Sequence, residues 1–287
     1  MKFATTKFIT LMFSAISAAS AAPVQFSAQG AGAADIFSTV NAFRSAVGTL
    51  NPNVAGSFGS GRREINWDGV PDSSAAPGNL PANFFNVNSP RGVVFSTPGT
   101  GFQVSANAGV APVEFGTINP TYPGLFATFS PQRLFTSLGS NITDVNFFVP
   151  GSTSSASVSA FGAVFTDVDL ANTTSLQFFD LSNQLLATTF FAPSAVGNET
   201  LSFLGVLFDA GERIGRVRIT AGNAALGASV FDAGGTDLVV MDDFIYAEPI
   251  AASTVPEPAT LLLVGPLLAA LWMLRRRRLR FGQQEGG

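Results

Sequence analysis

From Phe102 onward the chain is a succession of short β-branched and aromatic runs cut by turn residues, and this pattern limits its fold more than any other feature. The runs are "LFATFS", "DVNFFVP", "SASVSAFGAVFTDVD", "TSLQFFDL", "LLATTFFAP", "LSFLGVLF", "IGRVRIT" and "DLVVMDDFIY". Pro150-Gly151, Ser182-Asn183 and Ala210-Gly211 punctuate them. Several alternate with period two. In "RIGRVRITAG", Ile214, Val217 and Ile219 are set against Arg213, Arg216 and Arg218, as in a strand with one buried face. Short strands at intervals of roughly 8–12 residues predict an all-β sandwich. No run repeats closely enough for a propeller or solenoid, so a jelly-roll-like antiparallel double sheet is the expected arrangement.

The region before these strands reads differently. Ile36, Val40, Phe43 and Val47 recur at helical spacing, with Asp35 at the start and Gly48 and Pro52 past the end. One short helix over about residues 34–48 is predicted. Residues 53–101 are rich in Gly, Pro, Asn and Ser, which suits long loops with brief strands and places residues 102–247 as the main strand region. The pair Arg62-Arg63 before Glu64 reads as a solvated turn.

Composition removes several chemistries. The 287 residues contain no Cys and no His, so disulfides, thiolate chemistry, imidazole bases and imidazole metal ligands are excluded. A Ser-His-Asp triad and a His- or Cys-ligated zinc hydrolase go with them. Between Ala22 and Val255 eight arginines face 17 carboxylates, a net charge of −9, which argues against a nucleic-acid-binding face. Phenylalanine is abundant (28) while Trp and Tyr number two each, so the Phe residues read as core and not as ligand-stacking platforms.

Both ends read as targeting segments. Lys2 and Lys7 precede an apolar stretch over residues 8–18, and Ala19 and Ala21 supply small residues for cleavage after Ala21, the pattern of a secretory signal over residues 1–21. Residues 259–274 carry no charge and form ~24 Å of helix, slightly short of a ~30 Å hydrocarbon layer. Arg275, Arg276, Arg277 and Arg278 follow, with Arg280 beyond, and they place that end in the cytoplasm. Residues 22–254 are then an ectodomain, 259–274 a transmembrane helix and 281–287 a cytoplasmic tail.

Val255, Pro256, Glu257 and Pro258, followed by the apolar run and the arginines, resemble the PEP-CTERM sorting signal of Gram-negative bacteria over residues 255–280. The same type of segment is also catalogued as an ice-binding-protein C-terminal domain. The resemblance implies export through the secretion translocon, transient anchoring in the inner membrane, and processing near Pro-Glu-Pro by an exosortase. Release to the cell surface or an extracellular, exopolysaccharide-containing matrix would follow. Two prolines keep the segment outside the membrane extended and open to an enzyme.

Two places offer chemistry. Asp167 and Asp169 alternate at a strand end, and Asp242 stands beside Asp243 in the last strand. If those strands are neighbours, Asp167, Asp169 and Asp242 are candidate calcium ligands, since calcium takes hard oxygen donors. A polysaccharide hydrolase needs only two carboxyl groups, and Glu64, Asp68, Asp72 and Glu114 are its candidates, with Trp67 as a sugar platform or, equally, a core anchor. No spacing among them marks an active site. The expected function is therefore a non-catalytic structural, adhesive or polysaccharide-binding ectodomain, with the hydrolase as the alternative.

Overall fold

A computed structural model describes residues 22–252. The predicted signal segment with Ala19 and Ala21, the sorting tripeptide with Val255, the predicted span 259–274 and the arginines at 275–278 lie outside the described residues. No helix among the described residues is long and apolar enough to cross a membrane.

The strands, in chain order, are β1 (Val24–Gly30), β2 (Arg62–Ile65), β3 (Val93–Ser96), β4 (Gly101–Val104) and β5 (Phe135–Leu138). Next come β6 (Ile142–Phe147), β7 (Ala156–Ser157), β8 (Ala160–Thr166), β9 (Ser175–Phe179) and β10 (Phe190–Phe191). The last are β11 (Leu201–Leu207), β12 (Arg216–Thr220), β13 (Val240–Ala247) and β14 (Ile250–Ala251). They pair antiparallel. One sheet runs β1–β11–β8–β13–β5–β4, with β2 also paired to β13; a second runs β10–β9–β12–β6–β3; β14 and β7 form a two-stranded ladder.

The two large sheets share an apolar core in which Val145, Phe147, Phe178, Val217 and Ile219 of the second meet Phe161, Ala163, Phe165 and Phe244 of the first. This is the expected β-sandwich. In β12 the alternation is as predicted: Val217 and Ile219 are wholly buried. Arg216 and Arg218 point outward and both pair with Asp144 of β6, at 2.7 and 2.8 Å.

The first sheet is buried on both faces along β8 and β13, because a helix covers its outer side. That helix, α1 (Ala33–Val47), lies within a residue of the predicted span. Ile36, Val40 and Phe43 form its buried stripe, the Asp35 carboxylate accepts the Gly32 N–H at 3.1 Å, and Gly48, at φ 121°, closes its end. Phe43 fits between Phe26 and Phe203, with ring centroids 5.4 and 5.5 Å away. Burying one such ring contributes about 1.5–3 kcal/mol. A smaller core of Phe115, Tyr122, Phe126, Leu134, Leu226, Leu238 and Val240 sits under the loops.

Four local expectations need correction. Val24–Gly30 is a strand outside the expected strand region 102–247, and it zips along β11 from Val24 opposite Leu207 to Gly30 opposite Leu201. "LFATFS" is not a strand; its backbone N–H groups at Phe129 and Ser130 turn toward a side-chain carboxylate instead of a ladder. "LLATTFFAP" contributes only the two residues of β10.

The fourth correction concerns Arg63, which is wholly buried in β2 and not part of a solvated turn. Its guanidinium grips Glu248 with two hydrogen bonds of 2.8 and 2.9 Å and donates to the carbonyls of Val54, Gly56 and Pro90. All five donors are used, which is what makes burying such a charge tolerable.

Candidate functional site

β8 and β13 are neighbours, with Thr166 opposite Val240. In an antiparallel pair the exit of one strand lies beside the entry of the other, so the loop after β8 meets the loop before β13. Asp167 and Asp169 come from the first loop, Asp232 and Asp237 from the second. Carboxylate oxygens of Asp167, Asp169 and Asp232 lie within 4.8 Å of one another.

Asp167 is the innermost of the three. It sits at φ 69°, directly after β8, and its N–H donates to the Thr200 carbonyl at 3.0 Å. Its side chain is wholly buried, and neither carboxylate oxygen has a hydrogen-bond partner. Burial first, then the charges of Asp232, Asp169 and Asp237, push its pKa up to about 8. Burial also raises Asp232, opposed by the Leu238 N–H, and Asp237, opposed by the Thr173 hydroxyl and then by the N–H groups of Asp169 and Leu170.

The other acids are held in place. Asp169 accepts the Gly197 N–H at 2.8 Å, and Asp232 accepts the Leu238 N–H at 2.9 Å. Asp237 is buried and accepts the Asp169 N–H at 3.0 Å and the Thr173 hydroxyl. Its own N–H donates to Asn223 at 2.8 Å. Asp237 thus fixes the loop that carries Asp169. None of the ion pairs among the described residues reaches any of these four acids. Chemically the arrangement is an oxygen-only, anionic cradle, which suits a hard divalent cation.

Asp242 does not join it. The strands are adjacent as supposed, but Asp242 and Asp243 occupy a bulge where the β13 register shifts between Met241 and Phe244. Asp242 accepts the N–H groups of Phe129 and Ser130 at 2.6 and 3.1 Å. Its pKa lies well above the carboxylate range, from burial and then from the Asp243 charge. Asp243 accepts from the Ser130 hydroxyl at 2.7 Å and pairs with Arg44 of α1 at 3.0 Å. Asp232 takes the place expected of Asp242. Its signal was the segment "FDAGGTD", two acids flanking a Gly-Gly turn just before the final strand, but only the β8–β13 pairing brings that turn to Asp167.

The carboxylates considered for hydrolysis do not converge on one cleft. Glu64 is held by Arg44 at 2.9 Å and Arg62 at 2.6 Å. Asp68 accepts the N–H groups of Gln132 and Arg133 at 2.6 and 3.1 Å, and burial raises its pKa. Asp72 pairs with Arg133. Glu114 differs: it lines an open hollow of about 330 Å3 with Val113, Thr128, Pro131 and Gln132. Burial and the Glu199 charge raise its pKa to about 7. Trp67 is a core anchor, since it is buried, stacks on Phe135 at 4.1 Å between centroids, and donates its indole N–H to the Asp242 carbonyl at 2.8 Å.

No family model and no curated protein matches the chain. Among solved structures it is similar to the enzymatically active domain of tailspike protein 4 of bacteriophage CBA120, at 12% identity and a TM-score of 0.27. The match covers 59% of this chain and 21% of that one, so the chain spans about a fifth of the tailspike's length.

Proposed function

We propose that this chain is an exported, exosortase-sorted protein of the cell surface or extracellular matrix, with a jelly-roll-like, non-catalytic ectodomain that is structural, adhesive or polysaccharide-binding. The observation that carries the reading is the order of parts at the C-terminal side: Pro256-Glu257-Pro258, an uncharged run over 259–274, then four arginines. The β-sandwich supports it, because the last strand of the described residues, β14, ends at Ala251 and leaves the tripeptide just beyond.

Mass spectrometry of the protein recovered from its native host tests the sorting step. A C-terminus near residues 255–258 is expected; an intact tail still carrying the arginines overturns the reading. Retention of the secreted protein on its producer's own exopolysaccharide tests the binding role.

The competing reading is a carboxylate-pair hydrolase, and Glu114 is the observation that favours it. A glutamic acid titrating near neutrality beside a second carboxylate, Glu199, has the property of a general acid. Release of reducing ends during the same retention experiment, lost in Glu114→Gln, would move the assignment to that reading.

A further inference from the structure

We infer that Asp167, Asp169 and Asp232 are the protein ligands of a calcium ion that ties the β8–β9 loop to the β12–β13 loop, with Asp237 as the residue that positions them.

The inference stands on two independent observations. First, three carboxylate oxygens from two loops lie within 4.8 Å of one another. Calcium–oxygen distances of about 2.3–2.6 Å put ligands on opposite sides of the ion at about 5 Å, so oxygens within 4.8 Å of one another fit inside one calcium shell. Second, the Asp167 side chain is wholly buried and aimed into this cluster with both oxygens unpartnered. The other acids buried among the described residues are answered: Glu248 by Arg63, Asp243 by Arg44, Asp144 by Arg216 and Arg218, Asp242 by the N–H groups of Phe129 and Ser130, and Asp237 by the Asp169 N–H and the Thr173 hydroxyl. An acid enclosed without donor or counter-charge is costly, and a bound cation resolves that cost.

The surroundings are built to present these groups. Asp237 holds the Asp169 backbone and the Thr173 hydroxyl, while Asn223 holds Asp237 through its N–H and Gly197 and Leu238 orient Asp169 and Asp232. Gly222 permits the close approach, since a Cβ there would lie 2.1 Å from the Asp237 carbonyl oxygen. With no His or Cys in the chain, the donors are hard oxygens alone, as calcium prefers.

The test uses the full chain in detergent, stripped with EGTA and titrated with CaCl2 by calorimetry and thermal melting. One ion per chain and a rise in Tm of roughly 5–10 °C at a hundredfold excess over Kd are expected, reversed by EGTA and weaker with MgCl2. Asp167→Asn replaces an unpartnered buried carboxyl with an amide that can donate to Asp169 or Asp232, so its calcium-free Tm should equal or exceed that of the unaltered protein while the calcium response disappears. A purely structural acid would give the opposite pair, a lower Tm with the response intact, and would overturn the assignment. Asp232→Asn, less buried, should weaken binding at least tenfold, and Asp209→Asn, exposed and outside the cluster, should leave it unchanged. Absence of heat and of any Tm shift at millimolar calcium also overturns it. Neither result bears on exosortase processing, which is read separately at the C-terminus.

Discussion

Gly162 of β8 lies directly opposite Gly205 of β11, and the ring of Phe43 from α1 occupies the space that their side chains would fill. A Cβ on Gly162 would come 2.9 Å from Phe43 Cε1 and 3.0 Å from the Gly205 Cα; one on Gly205 would come 2.9 Å from Phe43 Cδ2. The helix seats on the sheet because this pair has no side chains. Gly205→Ala is therefore expected to destabilise the protein by about 1–3 kcal/mol through overpacking. Urea denaturation of Gly205→Ala, Phe43→Leu and the double variant checks it, since the smaller side chain should partly relieve the alanine, giving a favourable coupling. Additive effects would mean that the ring is not what the glycines accommodate.

Arg63 and Glu248 form the most enclosed ion pair among the described residues, at 0% and 1% side-chain exposure. Arg63→Ala leaves the buried Glu248 carboxylate without its counter-charge, held only by the Asn51 amide and the Phe58 N–H, and takes the guanidinium donor from the carbonyls of Val54, Gly56 and Pro90. A loss of about 3–5 kcal/mol is expected. Arg63→Lys should recover only part of it, because an ammonium cannot make the paired hydrogen bonds and reach three carbonyls together. Equal stability of the lysine variant and the unaltered protein in denaturant would show that charge alone matters here.

Glu114 makes stability pH-dependent with a defined sign. Its pKa rises from the ordinary 4.5 to about 7 in the folded protein, so the fold favours its neutral form. The stability it contributes is complete below about pH 4.5 and is lost as pH climbs toward 7, where the unfolded chain has already released its proton. Glu114→Gln should match the unaltered protein in acid and exceed it in Tm above pH 7. A constant Tm difference across that range would contradict the assignment.

Trp67 gives a prediction that separates packing from recognition. Trp67→Ala removes a buried ring stacked on Phe135 and should cost about 3–5 kcal/mol. Trp67→Phe keeps most of the packing but leaves the Asp242 carbonyl without the indole donor. Retention of folded Trp67→Phe on exopolysaccharide should equal that of the unaltered protein, because no face of the ring reaches solvent. Loss of retention in a variant that still melts cooperatively would assign the tryptophan to a binding surface.

The sequence by itself determined what one segment can decide alone. Alternation in "RVRIT" predicts which side of β12 is buried, the spacing of Ile36, Val40 and Phe43 predicts α1, and the lack of His and Cys restricts metal chemistry to oxygen donors. These follow from local periodicity and residue chemistry, which need no partner. Tertiary structure decided everything that depends on which distant segments meet. Asp242 looked as eligible a ligand as Asp167, yet a bulge in β13 gave its oxygens to Phe129 and Ser130, while strand pairing delivered Asp232 from a loop more than sixty residues downstream of Asp167. Arg63 looked solvated because its counter-charge, Glu248, is 185 residues away in the chain. A carboxylate's role is set by the donors around it, and those donors become neighbours only when the sheets have formed.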